Sequence, residues 1–304
     1  QGDTRATGLA PLLGAGWTIH DATNTLAWPG AASVTVSVVH LALGSPATMG
    51  DSFLDGEAVE VINSRLRPKP ERSDPVPLLK NSDHAFVGSY VLGAGFSLDP
   101  SERASLVDRD RSNEARTFPY LGGAEVNTSP TQSHERWVIN FGAMPLEQVE
   151  RWPDLLGILR EKAKPERDRN NRANYRDRWW QFAEYRPGLY RALEGLERCL
   201  VTSRVSSHLM FSFQPVGRVF SEALCVFPLD SFSALAVLQS RIHEPWARLL
   251  SSSFEERLRY SASECFSTFP FPAPDPCVVH QPLEKIGSEL YRARAEWMET
   301  EQQG

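Results

Sequence analysis

Twelve lysines and arginines fall between residues 160 and 204, against seven acids, a local balance of +5 in a 304-residue chain whose formal net charge is −6. The bases are Arg160, Lys162, Lys164, Arg167, Arg169, Arg172, Arg176, Arg178, Arg186, Arg191, Arg198 and Arg204. Arginine dominates, and its planar fork of donors matches phosphate oxygens and guanine edges better than an ammonium does. Asn170, Asn171, Asn174, Tyr175, Trp179 and Trp180 interleave with these arginines. A nucleic-acid surface needs this set: cations for phosphates, amides for base edges and flat rings for stacking. The same composition also describes a solvated, salt-bridged helical face. The alternative function is therefore a protein-interaction module whose Arg-rich helical surface meets an acidic partner. Salt-dependent binding to duplex DNA separates the first reading from the second.

Other chemistry is weakly marked. The seven histidines, His20, His40, His84, His134, His208, His243 and His280, show no H-x-x-x-H or H-E-x-x-H spacing. The four cysteines, Cys199, Cys225, Cys265 and Cys277, form no C-x-x-C pair. No metal site is expected, because zinc needs three or four convergent ligands. Gly88, Gly93 and Gly95 only loosely resemble G-x-G-x-x-G, and no helix pattern follows them, so a phosphate loop is not expected. A G-x-S-x-G elbow, a Walker loop and a kinase signature are all missing from the sequence. A hydrolase built from dispersed residues is a third reading, tested by turnover of this chain alone.

The elements that must position these residues follow from pattern. Hydrophobic residues make up 41% and charged residues 23% of the chain, a globular composition. With no run of eighteen apolar residues, no membrane span is expected. The few unpaired cysteines suit a reducing cytoplasm. The sequence begins Gln1-Gly2 without Met and reads as a piece of a longer protein. Residues 33–43 alternate small polar with β-branched residues, predicting a strand. The pieces 17–20 and 24–28, followed by Pro29-Gly30, predict a hairpin at a sheet edge. Pro68, Pro70, Pro75 and Pro77 mark an extended stretch, read either as a domain boundary or as a long surface loop. Residues 86–140 read as strands and loops, and 146–196 as helical, with Trp179, Phe182 and Ala183 on one helical stripe. Strands are expected at 199–202, 209–213 and 223–227. A helix carrying Leu235, Leu238, Ile242, Trp246 and Leu249 on one face is expected to be kinked or divided by Pro245. Val279, Leu283, Ile286, Leu290, Ala293 and Trp297 predict a closing amphipathic helix.

Six stretches, taken in order, carry a resemblance: "GWTIHDATNTLAWPGAASVTVSVV", "FPYLGGAEVN", "RWVINFGAMPLEQVE", "RDRWWQFAEYRPGLYRALEGLERCLVTSRVSSHLMFSF", "LAVLQSRIHEPWARLL" and "RYSASECFSTFPFP". The chain resembles the C-terminal part of fused restriction-modification enzymes of the type IIL, type IIG and type ISP group. Those are γ-class N6-adenine DNA methyltransferases with a target recognition domain after the catalytic core. The family's Gly-containing cofactor loop and N-P-P-[FY] tetrapeptide do not occur in the sequence, and the nuclease motif finds no convincing counterpart.

The resemblance implies an α+β chain: the end of a Rossmann-like methyltransferase sheet, a mixed α/β target recognition domain and a C-terminal helix. The implied boundaries are 1–64 for the last methyltransferase strands, 65–276 for the recognition domain and 277–304 for the helix. The implied function is sequence recognition on double-stranded DNA, with the rest of the parent chain as partner. By itself the chain is expected to be catalytically inactive, S-adenosylmethionine serving the intact enzyme. The resemblance places base reading at Arg204, Ser206, Ser207 and His208. Arg169, Arg172, Asn174, Arg176 and Arg178 join them as DNA-binding candidates. Trp28, beside a strand-adjacent Pro-Gly turn, resembles the aromatic residue that stacks on the flipped base.

Overall fold

A computed structural model describes residues 5–30, 34–44, 50–129, 131–254 and 257–302. The chain divides into two compact units, Gln1–Pro75 and Val76–Gly304.

In the first unit a π turn, Arg5–Leu9, leads into α1 (Ala10–Gly14). Four strands follow: β1 (Trp17–Ala27), β2 (Thr35–Leu43), β3 (Ser52–Leu54) and β4 (Glu57–Val59). Their order in the sheet is β2-β1-β3-β4. The hairpin is present, but the two short pieces expected before its turn are one eleven-residue strand. Register shifts at Ile19/Asp21 and Thr23/Leu26 absorb the irregular pattern that made the strand read as two. Ile19, Ala22, Leu54, Ile62 and Leu66 are its buried core. Residues 65–75 are irregular, as the prolines dictate. They are tied back to their own unit by Asp74, which pairs with Arg5 and with Arg65, and by Glu71, which accepts from the Ser64 N–H at 2.7 Å.

The second unit opens with β5 (Phe86–Val87), β6 (Ser97–Leu98), α2 (Pro100–Arg109), β7 (Thr117–Leu121), α3 (Gly123–Thr128) and β8 (Arg136–Ile139). Short helices come next: α4 (Leu146–Val149), α5 (Pro153–Ile158), α6 (Lys164–Asp168), α7 (Ala173–Asp177) and α8 (Pro187–Ala192). Then come β9 (Arg198–Ser203), β10 (Val205–Ser206), β11 (Ser212–Pro215), β12 (Val219–Phe220) and β13 (Leu224–Phe227). The chain finishes with α9 (Phe232–Leu238), α10 (His243–Leu250), β14 (Ser252–Phe254), β15 (Arg257–Arg259) and α11 (Gln281–Gln302).

Three sheets organise this unit, ordered β11-β9-β13-β5, β12-β7-β8-β6 and β10-β15-β14. In β9, Cys199–Val201 are wholly buried and Thr202 and Ser203 nearly so, as befits a central strand covered on both faces. The first two sheets meet where Gly88 crosses the chain at Phe220 and Ser221. A Cβ on Gly88 would lie 2.1 Å from the Ser221 carbonyl oxygen, so only glycine fits.

Several expectations are corrected. Residues 86–140 contain α2, whose capping box is complete: Asp99 accepts from the N–H groups of Ser101 and Glu102, and Glu102 answers the Asp99 N–H at 3.0 Å. Trp179, Phe182 and Ala183 are buried, yet residues 178–186 are not helical. There Arg167 captures the Gln181 carbonyl at 3.0 Å, and Arg186 takes a left-handed conformation before Pro187. The helix expected around Pro245 is divided earlier, at 239–242, and Ile242 is 75% exposed rather than on its buried face. Proline sits within the first turn of α10, where its missing N–H costs nothing.

The closing helix docks through a face other than its apolar stripe. Gly287 is buried against α9, where a Cβ would lie 2.1 Å from the Phe232 carbonyl oxygen. Tyr291 packs edge-on to Phe213, and Arg294 donates to the Phe211 carbonyl at 2.8 Å. Ile286, Leu290 and Trp297 are exposed. Close backbone approach decided the docking face, and periodicity does not report it.

Candidate nucleic-acid interface

Arg204 leaves the buried end of β9 with its main chain held from two sides. Its N–H donates to the Ala223 carbonyl at 2.8 Å, and its carbonyl accepts the Tyr260 N–H at 2.8 Å. Its position is thus fixed by the strand regions around β13 and β15 at once. The guanidinium Nη1 donates to the Glu222 carbonyl at 3.0 Å. Around it opens a cleft of about 930 Å³ lined by Gly123, Asn127, Ser203, Arg204, Glu222 and Arg259, among others. Asn127 Nδ2 donates to Ser203 Oγ at 3.1 Å and to the Val205 carbonyl at 3.3 Å, which sets the amide against the strand end. β15 alternates Arg257 exposed, Leu258 buried and Arg259 exposed, so the strand period sends both arginines outward. Leu258 anchors the strand in the core that also holds Phe211 and Phe227.

A second cleft, of about 710 Å³, shares Glu222 and is lined by Tyr90, Ser97, Tyr120 and Arg136, among others. Here Arg136 is clamped by Glu125, with Nε at 3.0 Å and Nη2 at 2.6 Å from Oε1. Glu125 is 5% exposed, and its other oxygen accepts the Gly122 N–H at 3.0 Å. The guanidinium lies 5.1 Å from the centre of the Tyr120 ring. Burial pushes the Tyr120 hydroxyl above its ordinary pKa, so it stays protonated at neutral pH. Together the clefts offer guanidinium donors, an amide and one carboxylate, the groups that read base edges in the major groove.

The expected site residues divide between two places. Arg204 lines the first cleft. Ser206 Oγ bonds the His208 carbonyl at 2.8 Å, so this serine shapes the turn, while Ser207 and His208 are exposed beside it. Arg169, Arg172, Asn174, Arg176 and Arg178 are exposed on α7 and its flanks, and none of them lines either cleft. Arg172 is steadied by the Tyr175 hydroxyl at 2.8 Å, and Arg176 lies 3.4 Å from Asp177. Trp28 is 51% exposed at the end of β1, its N–H bonded to the Val34 carbonyl at 3.0 Å. The neighbouring residues 31–33 of its motif lie outside the described residues.

One member of the basic run is buried and another is half-buried and engaged within the fold. Arg167 is 1% exposed, donating to the carbonyls of Val91 at 2.8 Å and Gln181 at 3.0 Å. Arg198 lies 3.9 Å from the Phe213 ring centre and donates to the Asp230 carbonyl. Sequence reading missed Asn127, Arg136, Glu222 and Arg259. Arg257-Leu258-Arg259-Tyr260 did carry a period-two pattern. Asn127 and Glu222 carried no local mark, because the cleft assembles them from distant segments.

The family model described as "MmeI, target recognition domain" matches residues 77–273. A solved structure of the type IIL restriction-modification enzyme MmeI in complex with DNA superposes with a TM-score of 0.71 at 19% identity. The match covers 97% of this chain and 39% of that one, so the chain spans well under half of that enzyme's length. No curated protein matches the sequence. With the family model covering well over half of its length, the chain belongs to the MmeI target recognition domain family.

Proposed function

We propose that this chain is the sequence-reading part of a larger type IIL-like restriction-modification enzyme. The observation that carries the proposal is the cleft at Arg204, in a family whose members are target recognition domains. Arg204, Arg259, Asn127 and Glu222 are its readers. An arginine fork donates to guanine O6 and N7, an amide pairs with adenine, and a carboxylate accepts from cytosine N4. Ser207 and His208 border the same strand end. The exposed Arg169, Arg172, Arg176 and Arg178, with Asn174, hold the phosphate backbone and set the register.

The first unit, up to Pro75, is the end of the parent's Rossmann-like methyltransferase sheet, and the second unit with its closing helix forms the recognition part. Trp28 stacks on the adenine that the parent flips out for N6 methylation, and its exposure supports this. S-adenosylmethionine and the transfer chemistry belong to the rest of the parent chain. The partners are double-stranded DNA and that remaining chain, in the cytoplasm. Among the described residues, no helix is long and apolar enough to cross a membrane.

Fluorescence anisotropy of a labelled duplex titrated with this chain at two salt concentrations is the direct test. Affinity falls steeply with salt, with a log–log slope of about −0.9 per neutralised phosphate. Salt-independent binding, or no binding at low salt, would falsify the reading. In the parent enzyme, Arg204→Ala relaxes one position of the recognised site by about 1–3 kcal/mol. Unchanged methylation sites after substituting Arg204, Ser206, Ser207 and His208 together remove these four residues from base reading.

A further inference from the structure

His84, Asp275 and Cys277 meet at the surface of the second unit, and none of them lines either cleft. One ligand atom from each lies within 4.8 Å of the other two. The imidazole Nδ1 is 3.7 Å from the Cys277 Sγ, and Nε2 is 3.9 Å away. In a tetrahedral zinc site, metal–ligand lengths of about 2.3 Å to sulfur and 2.0–2.1 Å to nitrogen place those two atoms about 3.6 Å apart. Nδ1 and Sγ already stand at that separation. Asp275 Oδ1 accepts the Cys277 N–H at 2.9 Å, which holds the carboxylate beside the thiol.

We infer that His84, Asp275 and Cys277 form a zinc-type divalent metal site. Imidazole, carboxylate and thiolate are the three side-chain donors zinc takes, and three protein ligands leave a fourth position for water. The thiol is held up at about 11 by burial and then by the negative charge of Asp275. Binding replaces the S–H bond by a metal–sulfur bond and releases one proton to solvent, with no change in oxidation state. Lys80 adds an opposing positive field at Asp275, so it weakens the site without occupying it.

His84 lies 193 residues from Cys277 in the sequence, which is why no spacing announced the three. His84 follows the start of the matched recognition domain and Cys277 lies just past its end at 273. A bound ion therefore clips together the two ends of that domain, and its free energy adds to folding.

The test is a Co²⁺ titration of the chelator-treated full chain. One equivalent gives a thiolate-to-cobalt charge-transfer band and visible bands of tetrahedral intensity, and Zn²⁺ displaces both. Cys277→Ser abolishes the charge-transfer band, and Asp275→Asn or His84→Ala weakens binding at least about tenfold. Zn²⁺ raises the melting temperature of the wild-type chain by a few degrees and leaves that of Cys277→Ser unchanged. No charge-transfer band, or a band that survives Cys277→Ser, overturns the site. If Cys277→Ser lowers the apo melting temperature, Asp275→Asn alone carries the comparison, and unchanged Co²⁺ affinity in that variant also overturns it.

Discussion

Replacing Arg167 by methionine separates the structural arginines from those proposed to meet DNA. Arg167 sits in the middle of the basic run yet is 1% exposed. Its Nη2 serves the carbonyls of Val91 and Gln181, and its guanidinium lies 5.5 Å from the Phe96 ring and 5.8 Å from the Tyr175 ring. Burial pulls its pKa below the ordinary value, but a guanidinium remains charged. Methionine keeps much of the packed stem and orphans two carbonyls, at about 1–3 kcal/mol each. Among the described residues Nε and Nη1 have no hydrogen-bond partner, so removing them relieves a desolvation cost and trims the loss. The net expectation is a destabilisation of about 2–4 kcal/mol. For a unit of this size that is a fall of about 4–16 °C in melting temperature. Because Arg167 touches no solvent, the salt slope of duplex binding by the folded variant stays that of the wild type. Arg172→Ala or Arg176→Ala should do the reverse, flattening the slope by about 0.9 each with little effect on melting. Calorimetry and anisotropy on the same samples decide it. An Arg167→Met variant that melts like the wild type but binds with a flattened slope refutes the assignment.

Other outcomes follow from the same geometry. Gly287→Ala places a Cβ where the Phe232 carbonyl oxygen stands, so α11 separates from α9, and limited proteolysis should cut the helix first; undiminished protection would show that the contact is slack. His243 is buried with its Nε2 3.1 Å from the Tyr260 hydroxyl, and burial lowers its pKa to about 3. Its folded pKa lies below the unfolded value of 6.5. Its contribution is therefore complete above pH 6.5 and lost as pH falls toward 3, at up to about 1.4 kcal/mol per pH unit. Denaturant midpoints from pH 7 to pH 4 should accordingly be flatter in His243→Gln, and an identical acid limb would contradict this. In the parent enzyme, Trp28→Ala should weaken capture of a flipped base by about 1–3 kcal/mol. A 2-aminopurine reporter at the target base reads this, and unaltered fluorescence would exclude the stack.

What the sequence disclosed depends on how local the cause was. The hairpin of β1 and β2 and the strand at 199–202 were legible because alternation acts within a few residues, whereas the helix divides at 239–242, ahead of Pro245. Asp99 and Glu102 also wrote a helix start in plain terms, yet α2 was passed over because its interior buries only Leu106. The 146–196 segment misled because an apolar residue near helical spacing can be buried without a helix, as Trp179 and Phe182 are. At the candidate interface, Arg204 was found through resemblance. Asn127, Glu222 and Arg259 had to wait for the fold, since three separate segments bring them together. A local charge balance also gives no direction to a side chain: Arg167 is buried, and Arg198 lies against the Phe213 ring.

The main chain at Arg204 is bonded on both sides, to Ala223 and to Tyr260. Exchanging that side chain gives up the Nη1 bond to the Glu222 carbonyl but leaves both main-chain bonds in place, and the register is set by peptide groups every residue possesses. The same holds at Arg259, on a strand anchored by Leu258. If the cleft reads DNA as proposed, single codon changes at Arg204 or Arg259 alter what it accepts while the main-chain bonds beneath stay the same. Novelty and stability are then inherited from different atoms: the first from side chains, the second from the backbone beneath them.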